Sequence, residues 1–188
     1  MRRLSVFNNV SLDGYFTSAT SSVDWAYQAD DLEWNAFIRD NAKASGSIVL
    51  GRITYEMMVA WWPTAAAKAA DPAVAEGMNG SEKIVFSRTL RRTTWSNTRF
   101  VADDPASAMR GLKNAAGGDM VILGSGTIVA QLADADLIDT YQLVVNPVVL
   151  GAGRSMFEGV NGPLRLRLAE TRTFRNGKVV MTYAREHG

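Results

Sequence analysis

Two stretches of this 188-residue chain have the residue types and order for holding phosphate. The first is Ser47-Ile48-Val49-Leu50-Gly51-Arg52-Ile53-Thr54-Tyr55-Glu56, and the second is Asp119-Met120-Val121-Ile122-Leu123-Gly124-Ser125-Gly126-Thr127-Ile128. In each, a short apolar strand runs into glycine and then into a helical pattern. A helix start leaves backbone N–H groups unpaired at the positive end of the helix dipole, so a glycine turn there forms an anion site without needing a charged side chain. Two such turns suit a ligand with several phosphates. A nicotinamide dinucleotide with a third phosphate on its ribose fits better than a mononucleotide, and Arg52 is placed to meet the extra charge. The chemistry this predicts is hydride transfer.

Other groups narrow the field. The chain has no cysteine, which removes thiolate nucleophiles, disulfides and cysteine-ligated metals. Its one histidine, His187, lies one residue from the end, so histidine triads and histidine metal clusters are not expected. Twenty basic residues against 19 acidic ones give a formal charge of +1, with no global field for nucleic acid or an anionic membrane. No apolar run approaches the ~20 residues of a membrane span, and the N-terminus lacks a signal-peptide pattern, so a cytoplasmic protein is expected.

The elements that must position the glycine turns can be read from periodicity. Leu4 to Val10 reads as an opening strand, followed by an Asp13-Gly14 turn. Residues 30 to 43 read as a helix with an acidic start. Ile48 to Leu50 is a buried strand, and Tyr55 to Trp62 a helix stopped by Pro63. Residues 65 to 75, alanine-rich and containing Pro72, read as a mobile connection or irregular helix. Strands follow at Lys83 to Ser87 and Arg99 to Val101, a helix at Pro105 to Ala116, a strand at Met120 to Leu123 and a helix from Thr127 to Ala135. Leu137 to Val145, Leu164 to Phe174 and Val179 to Arg185 then read as strands without intervening helices, the last two joined by an Arg175-Asn176-Gly177-Lys178 hairpin turn. This order predicts one α/β domain over residues 1–188, a mostly parallel sheet with antiparallel strands at one edge.

The same order resembles the dihydrofolate reductase-like superfamily, and is most similar to stand-alone relatives of the reductase domain of riboflavin biosynthesis. The resemblance rests on Ser11-Leu12-Asp13-Gly14, the segment from Leu50 to Glu56, Lys83 to Arg88, Ile122 to Gly126, and Leu137 to Tyr141 leading to Asn146 through Arg154. It implies a three-layer fold flanked by helices and an NADPH-dependent reductase, with the cofactor across the carboxyl ends of the parallel strands. Carried over by position, Gly51, Arg52 and Thr54 would bind phosphate at one helix start. Ser87 and Arg88 would approach the adenosine ribose and its phosphate. Gly124, Ser125, Gly126, Thr127 and Ile128 would hold the pyrophosphate, and Val10 would face the nicotinamide. Trp25 would lie in a loop covering the ligands. Arg52, Arg88 and Arg154 also fit exposed surface positions, and Trp61 and Trp62 fit either a lid or a helix-end cluster.

The implied substrate is a pteridine- or pyrimidine-like small molecule. A folate-type ring would need a buried carboxylate, for which Asp30, Asp31 and Glu33 are candidates, and Asp13 would stand beside the nicotinamide. A ribose-phosphate arm would need a base at the pocket mouth, and Arg154 is the candidate. The rival readings are a nucleotide-binding protein of the same fold without turnover, and a dihydrofolate or flavin reductase. The apolar Leu143 to Leu150 segment suggests an edge buried in a homodimer.

Overall fold

A computed structural model describes residues 1–27, 31–44 and 46–186. Asp30 and His187 lie outside the described residues. An eight-stranded sheet forms the middle layer, in the order β5-β4-β3-β6-β1-β7-β10-β9. Its strands are β1 (Leu4–Ser11), β3 (Ser47–Gly51), β4 (Glu82–Phe86), β5 (Thr98–Val101), β6 (Met120–Leu123), β7 (Thr140–Asn146), β9 (Leu166–Thr173) and β10 (Val179–Arg185). Every pairing from β5 across to β7 is parallel, whereas β10 pairs antiparallel with both β7 and β9. This is the expected mostly parallel α/β sheet with an antiparallel edge.

Helices cover both faces because each parallel pair needs a crossover over the sheet. On one face lie α1 (Leu32–Ala44), α2 (Arg52–Val59) and α4 (Pro72–Gly80), and on the other α5 (Pro105–Asn114) and α6 (Gly126–Asp134). Strand alternation divides the core between them. Leu4, Val6 and Val10 of β1 and Val49 of β3 pack with Ile128, Val129 and Leu132 of α6, while Ile48 and Leu50 turn the other way towards Tyr55 of α2 and Val74 and Met78 of α4.

Of the two readings of the alanine-rich stretch, a mobile connection or an irregular helix, the structure shows helix. The stretch forms α3 (Ala65–Ala70) and then α4, each with its own N-cap: Thr64 Oγ1 accepts from the Ala67 N–H, and Asp71 Oδ1 from the Val74 N–H. Pro72 is tolerated because it occupies the first turn of α4, where a backbone N–H would have no helical partner. A further pairing absent from the sequence reading is a small antiparallel sheet of β2 (Tyr15–Ser18) and β8 (Gly153–Ser155). Arg154 therefore lies on a strand and not in a turn. The apolar β7 sits between β1 and β10, so the exposed edge of this half of the sheet is β9.

Candidate functional site

Strands β3 and β6 are neighbours, yet the chain leaves them in opposite directions: β3 leads through α2 towards β4, and β6 through α6 past β1 to β7. Such a divergence opens a crevice at the carboxyl ends of the strands. Both glycine turns lie at this point, Gly51 as N-cap of α2 and Ser125 as N-cap of α6, and neither helix has a side-chain cap. Their first N–H groups are left to face the crevice.

The two turns are tied together. Ser125 Oγ accepts from the Gly51 N–H at 2.7 Å and donates to Thr54 Oγ1 at 2.9 Å, and Thr54 Oγ1 also accepts from the Ser125 N–H at 3.1 Å. Close approach demands glycine here. A Cβ on Gly124 would lie 2.9 Å from Thr54 Cγ2, and Gly124 has a φ of +60°. Asn8 pins the second turn from β1, its Oδ1 accepting from the Gly124 N–H at 2.6 Å.

From these turns a cleft of about 830 Å³ extends over the sheet towards α1. Gly51, Arg52, Thr54 and the run Gly124 to Ile128 all line it, as does Arg154. The two arginines carry its cationic charge. Arg52 Nη1 bonds Glu56 at 2.9 Å, and Arg154 Nε bonds Glu158 at 3.2 Å while its guanidinium stands 5.8 Å from the Phe16 ring centre. Each glutamate is an exposed i,i+4 partner that a phosphate can displace. Thr17, also in the wall, has a buried Oγ1 without a hydrogen-bond partner among the described residues. Unpaired helix-start N–H groups, an orphan hydroxyl and two mouth arginines form a donor set that fits a polyphosphate dinucleotide.

Other residues singled out in the sequence lie elsewhere. The Asp13 carboxylate accepts from Ser11 Oγ at 2.6 Å and from the Leu150 and Gly151 N–H groups at 3.1 and 2.8 Å, fastening the loop after β7 to the turn after β1. The Ser11 hydroxyl and these N–H groups hold its carboxyl below the ordinary value. Glu33 is exposed, 3.7 Å from Arg172 of β9. Asp31 caps α1, accepting from the Trp34 N–H at 2.9 Å. Val10 is buried in the core, with its carbonyl accepting from Asn146. Ser87 Oγ accepts from the Leu90 N–H, and Arg88 is exposed beside it; neither lines the cleft. Trp25 sits in a short 3₁₀ turn, Asp24–Ala26, whose neighbours Val23 and Tyr27 line the cleft while it does not. Trp62 lines the cleft wall and packs with the core, whereas Trp61 is largely exposed.

The half of the cleft under α1 is lined by side chains the sequence reading did not select. Asn9 of β1, Asn35 of α1, Gln142 and Thr140 of β7 and Thr182 of β10 supply amides and hydroxyls. The one carboxylate among the described lining residues, Asp119, lies at the amino end of β6, where it accepts from the Arg3 N–H. The missed signal was the Asn8-Asn9 pair near the end of β1: both line the cleft, and in a strand they point to opposite faces, Asn8 to the glycine turn.

Comparisons with known proteins agree with this architecture. The family model described as the RibD C-terminal domain matches residues 2–180. The uncharacterized protein YyaP of Bacillus subtilis is 27% identical over 186 residues, covering 97% of this chain and 94% of that one. The uncharacterized protein YwjB of the same organism is 25% identical over 173 residues, 92% of each chain. Among solved structures, a pyrimidine reductase-like protein from Corynebacterium diphtheriae superposes with a TM-score of 0.66 at 12% identity, over 100% of this chain and 93% of that one. A diaminohydroxyphosphoribosylaminopyrimidine deaminase/5-amino-6-(5-phosphoribosylamino)uracil reductase from Thermotoga maritima gives 0.69 at 13% identity, over 98% of this chain but 56% of that one.

Proposed function

The chain belongs to the RibD C-terminal domain family, and on that premise we propose that it is an NADPH-dependent reductase of a pteridine- or pyrimidine-like small molecule. The observation that carries this reading is the pair of side-chain-free helix starts at the divergence of β3 and β6, cross-tied by Thr54 and Ser125 and opening on one cleft. When bound, the dinucleotide supplies the hydride, and the protein's part is to hold it, orient the acceptor and exclude water.

Each part of the cleft has a role in that arrangement. The starts of α2 and α6 receive the phosphates, and Arg52 selects the additional ribose phosphate. Arg154 stands at the mouth for an anionic arm of the substrate. The neutral amides under α1 receive the acceptor ring. Asp31 holds the start of its helix and Glu33 is exposed, so neither of these two candidates is placed to bind a cationic amino-pyrimidine there. Water reaching the cleft supplies the proton that accompanies the hydride in this reading.

Following NADPH oxidation against 5-amino-6-(5-phosphoribosylamino)uracil, dihydrofolate and flavins tests the proposal. Turnover of the uracil-type substrate is the expected result. NADPH binding without turnover of any acceptor would instead favour a nucleotide-binding protein of this fold.

A further inference from the structure

Lys178 follows the β9–β10 turn and has no exposed surface. Its Nζ donates to the Ala26 carbonyl at 2.8 Å and to Asn146 Oδ1, and it stands 5.0 Å from the centre of the Trp34 ring. Burial pulls its pKa down to about 8, with Asp31 acting against the shift, so at neutral pH the group is mainly an ammonium. An ammonium donates three hydrogen bonds and accepts none.

That property decides the orientation of two amides in succession. Facing a donor-only cation, Asn146 must present its oxygen to Lys178, which turns its Nδ2 the other way. The surroundings agree: Asn146 Nδ2 lies 3.2 Å from the Val10 carbonyl and 3.1 Å from the Val144 carbonyl, both acceptors. The same Nδ2 lies 3.1 Å from Asn9 and shares its two hydrogens among three neighbours, an arrangement that favours the Asn9 oxygen on this side. The opposite arrangement would set amide hydrogens against each other at a site where Asn146 is 2% exposed. Asn9 lines the cleft, and its Nδ2 has no hydrogen-bond partner among the described residues.

We propose that Lys178 acts through Asn146 as a positioning residue that fixes the Asn9 amide with its N–H donors towards the cleft, so that this half of the site takes an uncharged ring presenting a carbonyl oxygen. The substrate class rests on the reductase reading, whereas the orientation of the amides does not. The same ammonium also holds the carbonyl of Ala26, which lines the cleft with Val23 and Tyr27.

Neutron diffraction from deuterium-exchanged crystals of the full chain at pH 7 tests the orientation directly. The expected map places the Asn9 Nδ2 deuterons towards the cleft and Asn146 Oδ1 towards Lys178; Asn9 Oδ1 in the cleft would overturn the proposal. Selectivity is read by titrating uracil, with two carbonyls, against 2,4-diaminopyrimidine in the presence of NADPH. The wild type should favour uracil by about tenfold, the worth of one hydrogen bond. Asn9→Asp keeps an acceptor for Asn146 but places a carboxylate oxygen in the cleft, and should reverse the preference. Lys178→Met should reduce it to less than about threefold, because Asn146 Oδ1 then loses its cationic partner and only the Val10 and Val144 carbonyls still hold the amide. An unaltered preference in both variants would overturn the role assigned to Lys178. Failure of NADPH to bind the wild type would count against the reductase reading alone, since the neutron map stands without it.

Discussion

Arg52 and Glu56 form an exposed pair at 2.9 Å, with side chains 48% and 45% accessible. Such a pair contributes about 0.3 to 0.5 kcal/mol, whereas a charge-assisted bond from arginine to phosphate contributes about 1.5 to 3 kcal/mol. Exchange of the carboxylate for a ribose phosphate is therefore downhill. Glu56→Gln should tighten NADPH binding by about twofold, because a competitor for the guanidinium is gone; weaker binding by titration calorimetry would show that Glu56 instead positions Arg52. Asp13 and Glu33 belong at this scale too. The family resemblance marked them as the carboxylates near the site, but the direction of a side chain depends on contacts made far along the chain, at Leu150, Gly151 and Arg172. Glu33→Gln should leave the rate of NADPH oxidation within about twofold, as an exposed ion pair outside the cleft implies, and a large loss would return Glu33 to the chemistry.

Among the elements, the two glycine turns behave as one unit because Thr54 is shared. Thr54→Val keeps the shape of the side chain but removes the acceptor for both the N–H and the hydroxyl of Ser125. Stability should fall by about 1 to 3 kcal/mol and NADPH affinity should fall with it, by urea titration and fluorescence respectively. Loss of stability without loss of affinity would show that the tie does not shape the phosphate site. Asp71→Ala offers the contrast. It removes the N-cap of α4 and the 2.9 Å bond from Arg39, which should lower stability by about 1 to 2 kcal/mol and leave NADPH binding untouched. Strands and turns near the glycines were legible because a short apolar run ending in glycine and followed by a helical pattern leaves a local mark. The short α3 and α4 were legible only as one of two alternatives, since Pro72 reads as a breaker until Asp71 is seen to cap a new helix, and the β2–β8 pair was not legible, since its partners are more than 130 residues apart.

For the molecule as a whole, buried titratable groups shape its response to pH. Burial lowers Lys83 and Lys178 to about 8 and raises Tyr141 to about 12. A lysine whose pKa is depressed on folding binds its proton more weakly than the unfolded chain does, so stability rises with pH between about 8 and 10.5. A tyrosine whose pKa is raised does the reverse, and its contribution falls away above about 10. The urea midpoint should therefore climb from about pH 8 to about 10.5 and then decline, with a shallower climb in Lys83→Met and no tyrosine-linked decline in Tyr141→Phe. A midpoint that falls steadily over the climbing range would contradict the burial assigned to these lysines. Fold class, the order of elements along the chain and the two glycine turns were open to sequence reading because they follow from local pattern and from the resemblance it carries. The part of the cleft under α1 was not, because it is assembled from single side chains on β1, α1, β7 and β10 that become neighbours only when the sheet closes. The central claim, that two helix starts and Arg52 form a site for a dinucleotide with a third phosphate, is tested most directly by titrating NADPH and NADH against tryptophan fluorescence in the wild type and in Arg52→Ala. Binding of NADPH at least about tenfold tighter than NADH, with the difference abolished in the variant, is the predicted result; binding of neither, or equal binding of both in the wild type, would contradict it.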